Sequence, residues 1–424
     1  MIHSAPTDGR EPRRETRGHV LVVLTAFLGW LFAGVIMVII PLAGRAANVS
    51  FFGPLREAAV GDWFSRYICA FLLGAAVGGL LFGWLGDRVG RARAMGWSIV
   101  CYSVLTGVSY FVASPSQLLV LRFLACLGVG GMWPNGVALA SEAWPNVSRP
   151  LLAGLIGTSA NLGFMLLALI AIYKPITPES WRWVFLIGAA PAALGFFVLW
   201  AVPESPRWLA ATRSGDSRRV RSPVVEIFQS PLLKYTIIGI FLGMIPLLGN
   251  WGGGNWLVPW AGQVGGADNP FLKAWTQWTR SSGGAVGALL GGWLASRFGR
   301  RTTYFFVSLA SLVASMVVYW KLRPGDPGFL AGVFVVGFVG TIYFGWLPLY
   351  LPELFPTRVR ATGTGVTFNF GRIATAFGVL GAGQLMVLFH GDYARVGQVT
   401  CWVYLLGMIV ICFAPDTSKA QLQD

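Results

Sequence analysis

The chain has 424 residues, 55% of them hydrophobic and 12% charged, with a mean hydropathy of +0.63. Soluble domains carry roughly a quarter charged residues, so this composition excludes an ordinary soluble protein and indicates a membrane protein. A net charge of +15 would suggest nucleic acid in a soluble chain, but here the arginines cluster in particular loops, and no nucleic-acid partner is expected.

Residues 1–18 are polar and basic and read as a short cytoplasmic tail. The apolar run that follows, from Val20, is about 21 residues long, too long for the core of a cleavable signal peptide. From there, runs of about 20 apolar residues between polar breaks predict twelve spanning helices. Their cores are Val20–Ile40, Tyr67–Leu85, Met95–Ala113, Gln117–Ala140, Leu151–Tyr173, Trp183–Val202, Tyr235–Leu257, Lys273–Ala295, Thr302–Trp320, Phe329–Leu351, Thr362–Leu388 and Val396–Ala414. The expected fold class is an all-α membrane protein. Prolines inside the runs, such as Pro134, Pro191, Pro246 and Pro348, are tolerable because neighbouring helices re-satisfy the freed backbone.

Arginine bias sets the orientation. The tail, the 2–3 loop, the 4–5 loop, the polar stretch after helix 6, the 8–9 loop and the 10–11 loop hold most of the loop arginines, so they read as cytoplasmic, with both termini on that side of a cell (inner or plasma) membrane. Cys69, Cys101, Cys126, Cys401 and Cys412 all fall in apolar stretches without a CxxC spacing, which implies buried thiols and no metal or disulfide framework.

Two motifs repeat. Gly83-Trp84-Leu85-Gly86-Asp87-Arg88-Val89-Gly90-Arg91 returns as Gly292-Trp293-Leu294-Ala295-Ser296-Arg297-Phe298-Gly299-Arg300-Arg301, an offset of 209, and Glu142-x-x-Pro145-x-x-x-Arg149 returns as Glu353-x-x-Pro356-x-x-x-Arg360, an offset of 211. The near-equal offsets divide the chain into a bundle over 19–202, a cytoplasmic linker over 203–233, a second bundle over 234–415 and a tail over 416–424.

Ionisable groups inside a span are expensive and by default functional. Arg372 is the strongest such case, roughly 18 Å along helix 11 from Arg360 and so near the bilayer midplane, with Asn369 expected on the same face. Arg280 and Arg122 lie shallower, about 10 Å and 8 Å into their spans, where they can snorkel. In helix 7 the run Leu247-Leu248-Gly249-Asn250-Trp251-Gly252-Gly253-Gly254-Asn255-Trp256 reads as a broken helix whose Asn250, Asn255, Trp251 and Trp256 can face a ligand. Buried positive charge and aromatic faces with no counter-carboxylate favour an organic anion.

These motifs, with Arg122-Phe123-Leu124 leading into Leu127-Gly128-Val129-Gly130-Gly131 and with Pro203-Glu204-Ser205-Pro206-Arg207-Trp208-Leu209, resemble the major facilitator superfamily over almost the whole chain, in its sugar-porter-like and organic-ion-transporter-like branch. The resemblance implies two pseudo-symmetric six-helix bundles and a small-solute transporter that works by alternating access. It implies a cytoplasmic gate built from Asp87, Arg88, Arg91, Glu142, Arg149, Arg297, Arg301, Glu353 and Arg360, with Ser296 weakening the second copy and Arg122 as a further gating residue. It also implies cavity positions at Trp30, Trp133, Asn135, Asn161, Gln277, Tyr343 and Trp346 beside those already named.

The chain departs from the family pattern at two places. Ala33 stands where relatives commonly carry a helix 1 aspartate, so proton symport through that group is not supported, and facilitated diffusion, exchange or another coupling ion stay open. The paired glutamines of hexose porters are missing from helix 7. A sugar, multidrug or metabolite carrier is the alternative within transport, and a receptor or sensor on the same fold is the alternative outside it. No G-x-x-x-x-G-K-[ST] loop argues for ATP, and His3, His19 and His390 are scattered, so neither an enzyme nor a cofactor is expected; the expected partners are a small solute and the lipid bilayer, and the expected state is a monomer.

Overall fold

The structure is a computed structural model that describes residues 11–144, 149–205, 208–209, 223–356 and 359–415. The described part is helical. Twelve long elements follow the predicted order: α1 Glu11–Phe52, α2 Glu57–Val89, α3 Arg91–Val108, α4 Pro115–Ala143, α5 Arg149–Tyr173, α6 Trp183–Ala201, α7 Leu232–Gly265, α8 Leu272–Phe298, α9 Arg300–Lys321, α10 Phe329–Glu353, α11 Arg360–Leu388 and α12 Tyr393–Ile411. A one-turn helix, Pro223–Ile227, precedes α7.

All of these except α8 are apolar enough to cross a membrane by length and composition. At 27 residues α8 has the length but carries Lys273, Gln277, Arg280, Ser281 and Ser282. Those residues do not face lipid: Lys273, Gln277 and Ser281 are buried, and α8 packs on α5, α10 and α7, so its polar face is turned into the protein. The mean hydropathy of a span therefore reports what surrounds it as well as whether it spans.

Several predicted bounds were too short. α2 begins at Glu57 rather than Tyr67, which brings Asp62 and Arg66 into the helix as an i,i+4 ion pair at 2.7 Å. α1 extends past Ile40 through Pro41 to Phe52 and so includes Arg45. Proline has no N–H, so Pro41 leaves the Met37 carbonyl, four residues back, without its helical donor. Arg122 of α4 supplies one, from Nη2 at 3.3 Å, while its Nη1 bonds the Ile36 carbonyl at 2.7 Å. Pro246 in α7 has the same effect on Leu242, whose carbonyl accepts from the Tyr304 hydroxyl of α9 at 3.0 Å.

The internal repeat is visible in backbone geometry. Gly90 and Gly299 both adopt a left-handed φ, 108° and 87°, with ψ of 152° and 158°, and each directly precedes a helix. Only glycine holds such a turn without strain. Gly78 of α2 and Gly287 of α8, again 209 apart (287 − 78), lie where an added Cβ would strike the Leu127 carbonyl of α4 and the Phe338 carbonyl of α10. Close α2–α4 and α8–α10 crossings are thus built the same way in each bundle.

The bundles meet along α2–α11 and α5–α8. At the end where α1 finishes and α2 begins, here the far end, one apolar cluster runs across both bundles and joins Phe64, Ile68 and Phe71 to Trp256, Ala382 and Met386. At the near end, where α1 starts and α12 finishes, the second bundle has its own cluster, with Tyr304, Trp346, Leu351 and Phe355.

Candidate functional site

The surface of α2 that faces the second bundle carries Glu57, Phe64 and Phe71 at seven-residue intervals, which puts them on one stripe about 10 Å apart. Phe71 packs on Trp251 of α7 with ring centroids 4.6 Å apart, and Phe64 packs on Trp256 at 5.1 Å. Trp256 also meets Tyr393 of α12 at 5.7 Å. These aromatic contacts form a plug across the far end of the seam.

A polar layer lies beyond the plug. Arg45 donates to both carboxylate oxygens of Glu57 at 2.8 Å, and the Tyr393 hydroxyl donates to Glu57 Oε1 at 2.7 Å. Arg45 also reaches the Gly262 carbonyl of α7 at 3.2 Å, and the buried Lys273 ammonium of α8 donates to the Ile176 carbonyl of the 5–6 loop. Each of these sets joins the two bundles, so opening the far end requires breaking buried, charge-assisted hydrogen bonds. The sequence reading named none of Arg45, Lys273 and Tyr393 as functional and treated Glu57 as a loop residue. The available signal was Arg45 and Lys273 standing within hydrophobic sequence.

Below the plug lies a cavity of about 240 Å³ lined from both bundles. On the first bundle's side, Trp30 of α1 and Trp133 of α4 pair at 4.9 Å, and Asn161 of α5 faces Gly284 of α8. On the second, the irregular turns Leu248–Gly253 and Gly254–Trp256 open α7 as the glycine run predicts. The break exposes the Asn250 carbonyl, which accepts from Arg280 Nη2 at 3.2 Å, while Arg280 Nη1 donates to Asn255 Oδ1 at 2.6 Å. Arg280 is therefore held inside the protein and does not snorkel. Gln277, one turn before it, donates to Ser281 at 2.7 Å; among the described residues its Oε1 has no partner, nor has Asn255 Nδ2.

Arg372 of α11 is in a different position. Its guanidinium lies over the Phe368 ring, 4.8 Å from the centroid, at the cavity wall, and it makes no hydrogen bond or ion pair among the described residues. The described lining contains Arg280 and Arg372 but no Asp or Glu. An acid-free cavity with an unsatisfied guanidinium and tryptophan walls can receive a planar anion, the fork taking two oxygens and the rings the body.

Of the residues expected to face a ligand, Trp30, Trp133, Asn161, Asn250, Trp251, Asn255, Gln277, Arg280 and Arg372 line this cavity. The other candidates lie elsewhere. Trp256 is in the plug and donates to the Gly252 carbonyl at 2.8 Å. Asn135 is fully buried and ties α4 to α2 through the Phe82 carbonyl at 2.9 Å. Tyr343 shares a 2.7 Å hydrogen bond with Ser308, and Trp346 packs on Tyr304 and Tyr350 in the second bundle's core. Asn369, three residues before Arg372, is not among the lining residues. It lies at the α2–α11 seam beside Gly79, and Phe368, four residues before Arg372, takes the place expected for it. Phe71, Thr341, Phe344 and Phe368 line the cavity without having been singled out, because in sequence they look like any lipid-facing or core residue of their helices.

Among the expected gating residues, Arg122 is buried and serves α1 carbonyls, as above. Asp87 pairs with Arg91, and Arg88 lies over Trp84 at 4.5 Å. Arg301 donates to the Cys412 carbonyl at 2.9 Å, Arg360 to the Phe355 carbonyl at 3.3 Å, and Arg297 is exposed. Glu353 is bonded by Arg300, which the sequence reading left out of the set. Glu142 is half-buried with Oε2 unpartnered, and the side chain of Arg149 lies outside the described residues. The Glu204 carboxylate, from the motif after α6, accepts from the Ala92 amide at 3.1 Å and so caps the positive end of α3.

Residues 22–379 match the model of the Major Facilitator Superfamily. The chain is similar to a putative niacin/nicotinamide transporter of Bacillus subtilis, at 26% identity over 94% of this chain and 96% of that protein. It is also similar to a cis,cis-muconate transport protein of Acinetobacter baylyi, at 27% identity over 84% and 85%. Among solved structures it resembles the partially occluded, inward-open xylose transporter of E. coli, with a TM-score of 0.73 at 18% identity over 95% of this chain and 99% of that one. The chain belongs to the Major Facilitator Superfamily and is a multi-pass membrane transporter of a small organic solute, not an enzyme.

Proposed function

We propose that the solute is a small organic anion, a carboxylate with an aromatic or unsaturated body, carried across the cell's inner or plasma membrane by rocker-switch alternating access. The carrying observation is Arg372, a guanidinium that among the described residues has no hydrogen bond or ion pair, at the wall of a cavity between the bundles whose described lining holds no acid. Arg372 anchors the carboxylate; Trp30, Trp133 and Trp251 hold the body; Asn161, Gln277 and Arg280 with Asn250 and Asn255 read its other polar groups. A relative named for cis,cis-muconate, a dicarboxylate, and one named for niacin/nicotinamide, of which niacin is a carboxylate, support this reading.

The bundles over 19–202 and 234–415 rock about the seam as a monomer, with 1–18, 203–233 and 416–424 cytoplasmic. On that orientation the far end is the outer face, the plug closes it, and the motif residues from Asp87 to Arg360 form the inner gate when the halves rock the other way. A thermal-shift series on the purified protein with niacin, cis,cis-muconate, xylose and a quaternary ammonium tests the assignment. A ligand at a hundred times its Kd adds about 2.7 kcal/mol to apparent stability, so the two carboxylates raise the transition by several degrees. Stabilisation by xylose alone refutes the anion assignment.

A further inference from the structure

We infer that the transporter is an anion exchanger, which crosses the membrane rapidly only with an anion bound and therefore takes one organic anion in for each one it releases. The inference rests on the reading of Arg372 as the anion anchor. It follows from how the three arginines inside the spans are, or are not, satisfied. Arg122 has the Ile36 and Met37 carbonyls, and Arg280 has Asn255 and the Asn250 carbonyl. Among the described residues Arg372 has only the face of Phe368.

To change the side it faces, a rocker-switch carrier must pass a state closed at both ends, in which the cavity water is expelled. A guanidinium stripped of water with no protein acceptor is strongly disfavoured in apolar surroundings. The empty carrier therefore crosses slowly. A bound carboxylate supplies the missing acceptor and neutralises the charge, so the loaded carrier crosses readily. An internal carboxylate facing the cavity would relieve the empty state by pairing with the cation, and it could also carry a proton. None is in place among the described lining residues. The acids within the helices at the seam lie at their ends, outside the cavity lining, and are already engaged, Glu57 by Arg45 and Tyr393, Asp62 by Arg66 and Asp87 by Arg91. A cavity of about 240 Å³ admits a small carboxylate in either direction, so the counter-substrate belongs to the same chemical class.

The test uses the full chain reconstituted in liposomes, with labelled niacin and labelled cis,cis-muconate as probes. Initial uptake is measured into unloaded vesicles, into unloaded vesicles with an inside-alkaline gradient, and into vesicles preloaded with the same unlabelled carboxylate. Exchange predicts that preloading raises uptake about tenfold or more and that the proton gradient does not substitute for it. Equal uptake into loaded and unloaded vesicles, or gradient-driven uptake that matches the preloaded rate, overturns it. Thermal stabilisation by the carboxylates without a preloading effect leaves the anchor standing and removes the exchange. Absence of both binding and uptake removes the anchor reading and the exchange with it. A second arm uses Phe368→Glu, checked for folding by gel filtration, which sets a carboxylate four residues before Arg372. It brings the preloaded-to-unloaded ratio down towards one, and an unchanged ratio in the folded variant overturns the inference.

Discussion

Arg300 donates two hydrogen bonds to Glu353, at 3.1 and 3.4 Å, whereas Arg91, its counterpart 209 residues earlier (300 − 91), is held by Asp87 in its own loop. The difference traces to one position. Ser296 stands where the first copy has Asp87, and its hydroxyl turns back to the Gly292 carbonyl at 2.7 Å. With no acid four residues before it, Arg300 pairs across to the end of α10, linking α9 and α10 within the second bundle.

Ser296→Asp should restore the short pair and draw Arg300 away from Glu353. In that background Glu353→Gln should cost less stability than in the wild type, by about 1 kcal/mol for a partly exposed pair. Thermal unfolding of the two single variants and the double variant in detergent measures the coupling, and strict additivity contradicts it.

At the far end, Glu57 accepts from both Arg45 and Tyr393 and so joins α1, α2 and α12. Glu57→Gln leaves the half-buried Arg45 without its counter-charge, at a cost between about 1 kcal/mol for an exposed pair and about 3–5 kcal/mol for a fully buried one. The loss falls only on the state closed at the far end, so the population should shift towards one open there. Spin labels at the exposed Leu55 and Ala267, one from each bundle, in a background where the exposed Cys412 is replaced by serine, report the separation. The wild type should give mainly a short distance and Glu57→Gln a second, longer population; an unchanged distribution argues against a latch.

Arg372→Lys retains the charge but not the planar fork, and Arg372→Gln retains neither. Hydrogen bonds to charged groups contribute about 1.5–3 kcal/mol, so niacin affinity should fall roughly tenfold in the lysine variant and about a hundredfold in the glutamine one. Isothermal titration at fixed pH gives both values. Equal losses would mean that the charge alone contributes nothing, and full affinity in the lysine variant would mean that the fork geometry contributes nothing.

The fold was legible because spanning helices must satisfy their backbone internally and bury or expose apolar faces, constraints that leave long runs, loop arginines and a 209-residue repeat in plain sequence. The expected depth of Arg372 rests on helical rise alone. Its neighbours were less legible. Asn369 and Phe368 differ by one residue, about 100° of helix, and that turn decides between the α2–α11 seam and the cavity. The far-end layer escaped because Arg45 falls beyond the predicted helix 1, which ends at Ile40, and Lys273 marks only the start of predicted helix 8. Their partners, Glu57 and the Ile176 carbonyl, are brought to them by tertiary packing that no local pattern encodes.

The last case is purely structural. Tyr304 is fully buried, and its hydroxyl fills the Leu242 carbonyl that Pro246 leaves without a helical donor. Tyr304→Phe removes that donor and strands a buried acceptor, at a cost of about 1–3 kcal/mol. Pro246→Ala restores the N–H at position 246, so the Leu242 carbonyl regains an internal partner and no longer depends on the tyrosine. Tyr304→Phe should therefore be clearly destabilising in the wild type and nearly neutral beside Pro246→Ala. Thermal unfolding of the four proteins of this cycle checks it. If Tyr304→Phe costs the same in both backgrounds, its hydroxyl is stabilising something other than the proline gap.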